Sequence, residues 1–474
     1  MCNGQRRRLS TSKKIKTYFV YKKPIPNTDG FFNLSNLHTP NITIHMYISI
    51  QELYNIFLQH NTISTDSRHV EKGCLFFALK GDNFDGNKYA KKAIESGAAY
   101  AVIDDPLQEN KQTLLVENVL DSLQQLALMH RRNFDIPIVA ITGSNGKTTT
   151  KELVSAVLSR QYHVTATKGN LNNHIGVPLT LLGITRETQI AIIEMGANHQ
   201  KEIESYCRIA EPTHGLITNI GKAHLGGFGG YEGVIKAKIE LYTWLRNSDG
   251  TVFVNSGNPL LMEHTSGMNR IIYGIHEGIH TRGKAMENTA SLLLNWMTDQ
   301  GTHVIQTNLV GNYNFENVMA AICIGTYFHV PASEIKSAIH TYQPSNSRSQ
   351  AMKTERNSVI MDAYNANPTS MQVALENFRQ IKAGHKMVIL GDMLELGDES
   401  SAEHQAIVNL VKEAAFESMI FVGPDFKQAA GDRFLCFTTS DEAHDWLLTR
   451  HIAGFTILVK GSRGIKMERV LNAL

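Results

Sequence analysis

The sequence lacks any apolar run that approaches the ~20 residues a membrane-spanning helix needs. Cysteine is scarce, and the few present are far apart, with neither the short spacing of zinc ligands nor the density of a disulfide framework. They are Cys2, Cys74, Cys207, Cys323 and Cys436. The body of the chain also lacks fixed-period repeats and low-complexity segments. We therefore expect a globular protein of a reducing cytoplasm, without integral membrane association.

A strong charge of either sign is also missing, since the net charge is +2. Residues 1–45 nevertheless carry eight Lys or Arg against one acid, Asp29, which leaves −5 on the remaining 429 residues. A mildly acidic body argues against a nucleic-acid partner. The basic start could be a nucleic-acid or membrane arm; we favour a disordered extension and exclude it from the fold.

The 474 residues are enough for about three domains. Residues 46–136 predict a small α/β domain, in which ISIQELYNIFLQ has helical periodicity and CLFFAL and AYAVID are strand-like. From 137 to 342 short apolar runs alternate with helical patterns, which indicates a mainly parallel sheet with helices on both faces. The alternation repeats over 343–474, which predicts a Rossmann-like third domain. The predicted fold class is α/β.

Ligands of such sheets bind beyond the carboxyl ends of the strands. Three residues with suitable chemistry lie there in the central region: Lys147 after IVAITG, Glu194 at the end of IAIIE, and His224 after GLITNIG. An acid at a strand end is ordinarily solvated, but beside Lys147 it favours a Mg²⁺ or water-positioning role. His224 could equally be structural. We expect the chemistry at this edge.

The stretch IVAITGSNGKTTTKELV predicts a strand, a phosphate-binding loop and a helix. Its spacing departs from the Walker pattern, because the position five residues before Gly146 is Ile141, inside the strand. What is left is a shortened loop, Gly143 to Thr148, in which Lys147 supplies a cation and Thr148 a hydroxyl for Mg²⁺. The alternative is a glycine turn before an ordinary helix. The ordered succession favours nucleotide binding.

Other polar residues allow two interpretations each. Lys238 reads as a surface lysine of an amphipathic helix, and nothing physical in the sequence distinguishes it. Asn312, Asn314 and Asn317 could cap a helix or contact a base. The stretch from Asp362 to Pro368, DAYNANP, could be a plain turn or a ligand loop.

Several stretches together resemble the Mur ligase family, whose members use ATP to build the peptide of the bacterial cell wall. The matching stretches are TDSRHVEKGCLFFALKGDNFDG, TGSNGKTTTKE, GNLNNHIGVPLTLL, EMGANHQKEI, AHLGGFGG, DAYNANP, GDMLELG and LVKGSRGIKME. They follow the family's order over about residues 60–474. The shortened loop matches that of the family, where the chemistry is activation of a carboxylate by ATP.

The resemblance implies roles for individual residues. Catalytic roles fall on Lys147, Glu194, His224 and Lys238, and metal ligation on Thr148, Glu194, His224 and a carbamylated Lys238. ATP contacts are implied at Gly143, Ser144, Asn145, Gly146, Lys147, Thr148, Thr149, Asn314, Asn317, Arg348 and Asp362. Substrate contacts are implied at Ser67 and Arg68 for the UDP-sugar, at Asn172 and Asn173, and at Tyr364, Asn365 and Asn367 for an incoming dipeptide.

The stretches TDSR, LFFAL and DAYNANP point, within the family, to the reaction that adds D-alanyl-D-alanine to UDP-MurNAc-tripeptide through an acyl phosphate. We thus expect ATP and Mg²⁺ as cofactors, these two molecules as substrates, and a cytoplasmic monomer. The alternatives are a sibling ligase that adds a single amino acid, a folylpolyglutamate synthetase, or a non-catalytic nucleotide-binding relative. A motor or GTPase is disfavoured by the loop spacing.

Three positions depart from the family pattern. Tyr313 and Asn87 each stand where His is common, and the stretch Asn255-Ser256-Gly257 lacks an acid often found after that strand. These departures concern local contacts rather than the reaction.

Overall fold

The structure is a computed structural model that describes residues 15–17, 44–286, 291–299, 301–344, 348–414 and 416–474. The chain divides into two compact units, Met1–Asn133 and Phe134–Leu474. Most of the basic extension predicted over residues 1–45 lies outside the described residues. Of this segment, a short strand β1 (Ile15–Thr17) pairs with β2 (Ile44–Met46) in antiparallel orientation.

The described part of the first unit contains a four-stranded parallel sheet in the order β3-β4-β7-β8, with three α-helices. Its remaining elements are α1 (Ile50–His60), β3 (Ile63–Ser64), β4 (Leu75–Phe77), β5 (Lys80–Gly81), β6 (Phe84–Asp85), α2 (Ala90–Glu95), β7 (Tyr100–Ile103), β8 (Thr113–Leu115) and α3 (Val119–Arg131). Helix α1 begins with a capping box, in which Ser49 and Glu52 satisfy each other's backbone N–H groups. The predicted helix and strands are therefore present.

The second unit contains a nine-stranded sheet in the order β10-β11-β9-β12-β13-β14-β15-β16-β17, parallel up to β15 and antiparallel beyond it. Its strands are β9 (Ile138–Thr142), β10 (Val164–Ala166), β11 (Ile190–Glu194), β12 (His214–Ile217), β13 (Thr251–Asn255), β14 (Asn269–Gly274), β15 (Thr281–Met286), β16 (Ser291–Thr298) and β17 (Gly301–Val310). Its helices are α4 (Lys147–Leu158), α5 (Gly176–Leu182), α6 (Glu202–Ala210), α7 (Leu225–Phe228), α8 (Tyr231–Asn247), α9 (Pro259–His264), α10 (Phe315–Tyr327) and α11 (Ala332–Thr341).

Helices cover both faces of this sheet, as strand β12 demonstrates. Leu216 lies in a core cluster with apolar residues of α4, α10 and α11. A side chain at the neighbouring Gly215 would instead meet Leu241 and Leu245 of α8. Successive residues of a strand face opposite sides, so α8 covers the other face. Burial on both faces explains why the strands are continuous apolar runs.

The second unit also contains a six-stranded sheet in the order β18-β19-β23-β20-β21-β22, parallel except for β18. Its elements are β18 (Gln350–Lys353), β19 (Ser358–Asp362), α12 (Pro368–Gln380), β20 (His385–Gly391), α13 (Ser400–Ala414), β21 (Ser418–Val422), α14 (Pro424–Ala430), β22 (Leu435–Phe437), α15 (Ser440–Leu448) and β23 (Phe455–Lys460). Parallel strands alternating with helices give the Rossmann-like arrangement expected for this part of the chain. The α/β fold class is confirmed; the domain boundaries at 136/137 and 342/343 stay predictions.

Candidate active site

A cleft of about 800 Å³ lies at the carboxyl ends of β9 and β11 in the second unit, and residues of both sheets line it. Among the predicted site residues, it is lined by Ser144, Asn145, Gly146, Lys147, Thr148, Thr149, Asn172, Asn173, Glu194, His224, Asn314, Asn317, Arg348, Asp362, Tyr364, Asn365 and Asn367. Gly143 and Lys238 do not line it, and Ser67 and Arg68 belong to the first unit. The strand-end rule therefore located a real concavity.

The phosphate loop joins β9 to α4 and depends on two glycines. Gly143 and Gly146 have φ values of +140° and +78°. A Cβ atom at Gly146 would come within 2.4 Å of Asn317 Oδ1, and one at Gly143 within 2.0 Å of Thr218 Oγ1. Both the backbone conformation and the close packing thus require glycine. The N-terminus of α4 opens directly into the cleft, where its N–H groups favour an anion.

Lys147 bends back over this loop. Its ammonium donates to the carbonyl oxygens of Gly143 (2.7 Å) and Ser144 (3.1 Å). Burial lowers the pKa of Lys147 to about 8, while nearby Glu194 acts in the opposite direction. The side chain lines the cleft at the start of α4.

A second loop, residues 218–221, holds the phosphate loop in place. Asn219 Oδ1 accepts from the N–H of Asn145 (3.0 Å), and its Nδ2 donates to the Asn145 carbonyl (3.1 Å). Ser144 Oγ exchanges hydrogen bonds with the backbone of Gly221. Sequence reasoning missed Asn219, although its position directly after β12 carried the same strand-end signal as Glu194.

Glu194 is the most unusual group of the site because its side chain is fully buried and half satisfied. Oε1 accepts from the Thr148 hydroxyl (2.9 Å) and from Asn172 Nδ2 (2.7 Å). Oε2 has no hydrogen-bond donor among the described residues. An ionised oxygen buried without a donor is costly unless a ligand or ion completes it.

Lys151, which the sequence interpretation passed over, lies behind Glu194. Its side chain is almost fully buried, and its ammonium is 3.8 Å from Glu194 Oε2 and 3.2 Å from the Gly169 carbonyl, to which it donates. It therefore connects α4 with the loop that carries Asn172 and Asn173. A helical lysine one turn after the phosphate loop gave no local signal of burial.

His224 follows β12 and lines the cleft with a left-handed backbone, φ +53°. Its Nδ1 is in ion-pair contact with Glu395 of the loop that follows β20. The contact lacks the alignment of a hydrogen bond, so Nδ1 retains an unsatisfied position. The sequence left open whether His224 is a structural or a functional histidine. Its position in the cleft favours a functional role.

Lys238 is buried within α8 rather than exposed on the surface of a helix. Its ammonium lies 5.0 Å from the centre of the Phe228 ring. Burial, reinforced by the charge of Lys147, lowers the pKa of Lys238 well below that of an ordinary lysine. No hydrogen bond or ion pair reaches its Nζ from the part of the chain that the structure describes. The plain reading of a solvent-facing lysine is therefore wrong.

Asn314 and Asn317 form a buried relay at the start of α10. Thr150 donates to Asn317 Oδ1 (3.1 Å), Asn317 Nδ2 donates to Asn314 Oδ1 (3.0 Å), and Asn314 Nδ2 donates to the Val310 carbonyl (2.9 Å). The relay joins α10 to the phosphate helix. It uses part of each amide, and the remaining capacity faces the cleft.

The third predicted domain contributes Arg348 and Asp362. The Arg348 guanidinium lies 3.6 Å from the centre of the Tyr364 ring, and its Nε is buried without a hydrogen-bond partner. Asp362 is paired with Lys460 Nζ at 2.5 Å and accepts from the N–H of Ser349 (3.2 Å). Lys460 is almost fully buried, so it fixes Asp362 at the end of β19. Sequence reasoning did not identify Lys460.

Tyr364, Asn365 and Asn367 lie together after β19, where they were expected. Asn367 caps α12 by accepting from the Ser370 N–H (2.9 Å), and its Nδ2 donates to Asn145 Oδ1 (2.8 Å). Its side chain thus connects the phosphate loop to the second sheet. A dipeptide contact at these three residues stays a prediction.

In the first unit, Ser67 and Arg68 lie in a loop after β3. The Arg68 guanidinium is exposed and pairs with Asp66 (Nη2 to Oδ2, 2.7 Å), which holds the pKa of that carboxyl well below its usual range. Asn87, one of the departures, is completely buried. Its amide donates to Asp85 and Asp104 and accepts from two backbone N–H groups. An imidazole has only two ring nitrogens, so it could not make all four bonds.

The other two departures are also accommodated. Tyr313 donates or accepts a 2.6 Å hydrogen bond with the Ser349 hydroxyl. Asn255 is buried, and its Oδ1 accepts from the Gly257 N–H (2.9 Å). This bond closes the turn after β13, where the family often has an acid. Across the described ranges, no helix has the length and apolar character to cross a bilayer.

Comparison with known proteins places this site in context. The chain matches the Mur ligase family catalytic domain over residues 60–139, the Mur ligase middle domain over 141–325, and the Mur ligase glutamate ligase domain over 347–463. The UDP-N-acetylmuramoyl-tripeptide–D-alanyl-D-alanine ligase of Bacillus subtilis is 34% identical over 433 residues, which cover 87% of this chain and 92% of that protein.

Solved structures agree. A crystal structure of MurF from Acinetobacter baumannii superposes with a TM-score of 0.79 at 32% identity, covering 87% of this chain and 92% of that one. MurF ligase from Thermotoga maritima, solved with ADP, gives 0.77 at 25% identity, covering 88% and 97%. With these likenesses over nearly its whole length, the chain belongs to the Mur ligase family.

Proposed function

We propose that this protein is an ATP-dependent, ADP-forming ligase that adds D-alanyl-D-alanine to UDP-MurNAc-tripeptide, a step of peptidoglycan precursor synthesis. The observation that carries the proposal is Glu194 Oε2, which is buried beside a phosphate loop without a hydrogen-bond donor among the described residues. The choice of acceptor is supported by relatives that are named for this reaction at 30–34% identity.

The residues present fit a divalent cation. Glu194 Oε2 is buried without a hydrogen-bond donor among the described residues, the Thr148 hydroxyl lies 2.9 Å from Glu194 Oε1, and His224 lines the same cleft. Carboxylate and hydroxyl oxygens suit Mg²⁺. Thr148, Glu194 and His224 would hold it, with Lys238 if carbamylated. Bound there, Mg²⁺ would supply positive charge at the phosphate oxygens of ATP.

The chain's own groups account for the first step. Lys147 and the N–H groups at the start of α4 would stabilise charge on the γ-phosphate while the tripeptide carboxylate attacks it. The products are ADP and an acyl phosphate. Arg348, whose Nε has no partner, adds a second cation on the same cleft. Asp362, which is paired with Lys460, would accept from the ribose hydroxyls.

In the second step, the free amine of D-alanyl-D-alanine attacks the acyl phosphate, the amide bond forms and phosphate leaves. An acyl phosphate hydrolyses if water reaches it, so the two sheets must enclose it. Asn367 contributes by joining α12 to Asn145 of the phosphate loop. Tyr364 and Asn365, which line the cleft on the same loop as Asn367, would contact the incoming dipeptide.

Carbamylation of Lys238 is part of the proposal. CO₂ reacts with a neutral amine, and a lysine whose pKa is lowered by burial has a larger neutral fraction. The product carbamate is an anion, which the neighbouring cation Lys147 would favour. A cytoplasmic location, a monomeric state and the absence of a nucleic-acid partner stay predictions.

The test is phosphate release from ATP and Mg²⁺ with UDP-MurNAc-tripeptide, with and without D-alanyl-D-alanine. We expect release to require the dipeptide and mass spectrometry to find the pentapeptide product. Lys147→Met should abolish release, whereas Lys168→Met, which removes a lysine from a neighbouring loop, should not. Release with single amino acids in place of the dipeptide would keep the family and overturn the acceptor.

A further inference from the structure

The loop after β20 meets the loop after β12 at an unusual contact between two strained residues. Glu395 and His224 both have left-handed backbones, with φ values of +67° and +53°. Their side chains meet where the Glu395 carboxylate contacts His224 Nδ1, and the contact is an ion pair when the ring is doubly protonated. Strained non-glycine residues persist only where the surroundings enforce them, and they cluster at functional sites.

The backbones of the two loops also approach closely. A Cβ atom at Gly397 would lie 3.2 Å from the Gly226 Cα, so glycine on each side permits the contact. Nearby, Lys222 Nζ is 2.5 Å from Glu403, and the Lys222 N–H donates to Thr369 Oγ1 (3.0 Å). The approach of Glu395 to His224 is therefore built into the docking of the second sheet's loops on the first.

The ion pair is a poor stabilising device. The Glu395 side chain is 59% exposed, and ion pairs at such exposure contribute little to the free energy of unfolding. The strain of two left-handed residues is thus not offset by this contact alone. A role in the chemistry explains the arrangement better than a role in folding.

From these contacts we infer that Glu395 is a positioning residue for His224 in the proposed cation site; the inference rests on the proposed function. A carboxylate oxygen cannot face the lone pair of Nδ1 without repulsion, so Nδ1 carries the proton. In the neutral ring, Nε2 then holds the lone pair that a cation needs. Metal-binding histidines are commonly oriented by a carboxylate at the other ring nitrogen. Glu395 follows β20 of the second sheet, and His224 follows β12 of the first. Docking of the second sheet on the first therefore completes the orientation of the metal-binding side chain of His224.

The experiment measures binding of Mn²⁺ in the presence of ADP by electron paramagnetic resonance, on the full chain. We expect Glu395→Gln to weaken Mn²⁺ binding at least about 10-fold, within the range for lost carboxylate partners of metal-binding histidines. Glu395→Asp, which keeps the charge and tolerates a left-handed backbone, should restore part of the loss. Asp398→Asn, in the same loop with no side-chain partner among the described residues, should bind Mn²⁺ as wild type does.

Two variants distinguish positioning of His224 by Glu395 from a general effect on docking of the two sheets. Glu403→Gln removes the contact with Lys222 but leaves His224 untouched, so it should not weaken Mn²⁺ binding. In a His224→Ala background, Glu395→Gln should have no further effect. Wild-type Mn²⁺ binding by Glu395→Gln, or equal losses in Glu395→Gln and Glu403→Gln, would overturn the inference.

This measurement needs no acceptor. A chain that ligates single amino acids but binds Mn²⁺ as described would therefore overturn the proposed acceptor and support Glu395. Failure of the wild type to bind Mn²⁺ with ADP would overturn the cation site and the role of Glu395 together, whatever the ligation assay gives.

Discussion

His214 begins strand β12, and His224 lies beyond the carboxyl end of the same strand. The two side chains have opposite surroundings. The His214 ring hydrogen-bonds to Thr213 Oγ1 (2.8 Å) and the Tyr327 hydroxyl (3.2 Å) and stacks on Phe253. At the other edge of the sheet, Glu194 Oε2 is buried without a hydrogen-bond donor among the described residues, and His224 Nδ1 contacts Glu395 without the alignment of a hydrogen bond. Saturated polar groups at one edge of a sheet serve stability, and unsaturated ones at the other await a ligand.

The same comparison extends to lysines. Lys460, at the end of β23, is buried and paired with Asp362. Lys238 is equally buried but has only the face of Phe228 within reach among the described residues. A buried ammonium without an anion is expensive, so chemical change of the amine is one way to remove the cost. The contrast predicts which substitutions will affect activity and which will affect folding.

The largest effect is expected for Glu194→Gln. The amide oxygen can still accept from Thr148 and Asn172, but the charge for the cation is lost. Ligation should fall by about 10³-fold, as for other lost electrostatic contributions to a transition state, while the melting temperature should change little, because the amide keeps both hydrogen bonds of Oε1 and the ion pair lost with Lys151 spans 3.8 Å. Steady-state kinetics and calorimetry measure both. Glu399→Gln, at an exposed acid, should change neither; a large loss of stability in Glu194→Gln would contradict the distinction between the two edges.

His214 should instead control stability against acid. Burial lowers its pKa in the folded protein to about 4, from 6.5 in the unfolded chain. Its stabilising contribution is therefore complete above about pH 6.5 and is lost as the pH falls towards 4, by at most about 3 kcal/mol. Denaturant unfolding at several pH values should give a shallower acid loss for His214→Phe than for wild type. Tyr327→Phe, which removes a hydrogen-bond partner but keeps the imidazole, should retain the wild-type slope; an unchanged slope in His214→Phe would refute the assignment.

Lys238 should combine loss of activity with a chemical signature. We expect ¹³C NMR after incubation with labelled bicarbonate to give a carbamate resonance that Lys238→Ala lacks. Activity of that variant should fall by about 10²-fold, an electrostatic loss comparable to that of a preorganised donor, and short carboxylic acids should restore part of it. Lys236→Ala, at an exposed lysine of the same helix, should keep both the resonance and the activity. A resonance that survives in Lys238→Ala would place the modification elsewhere.

Much of the fold and of the candidate site could be predicted from the sequence. Strands that are buried on both faces consist of continuous apolar runs, and ligands bind beyond their carboxyl ends. That rule alone found Lys147, Glu194 and His224. It could also have found Asn219, which follows β12 in the same way. Lys238 required the family resemblance, since its burial depends on how α8 packs rather than on any local pattern.

Contacts between distant segments were beyond sequence reasoning. Lys151 and Gly169, Lys460 and Asp362, and Asn367 and Asn145 meet only through tertiary packing. Amides are particularly ambiguous: Asn367 is a predicted substrate contact, and its cap and its bond to Asn145 already use one hydrogen-bonding position at each end of the side chain. Residue type predicts the available chemistry, and only packing decides how much of it is already used.

The smallest effect is expected for Tyr313→Phe. This variant tests whether the structure accommodates a tyrosine where the family often has histidine. Its hydroxyl bonds to Ser349 Oγ, and the Ser349 N–H in turn donates to Asp362. Tyr313→Phe removes one partly buried hydrogen bond, which is typically worth about 1 kcal/mol. Because Asp362 keeps its partner Lys460, we expect the KM for ATP to rise several-fold with little change in kcat. Lys460→Met should raise it far more, since it leaves Asp362 unpaired. Equal effects of the two variants would mean that the tyrosine, rather than the buried lysine, holds Asp362 in place.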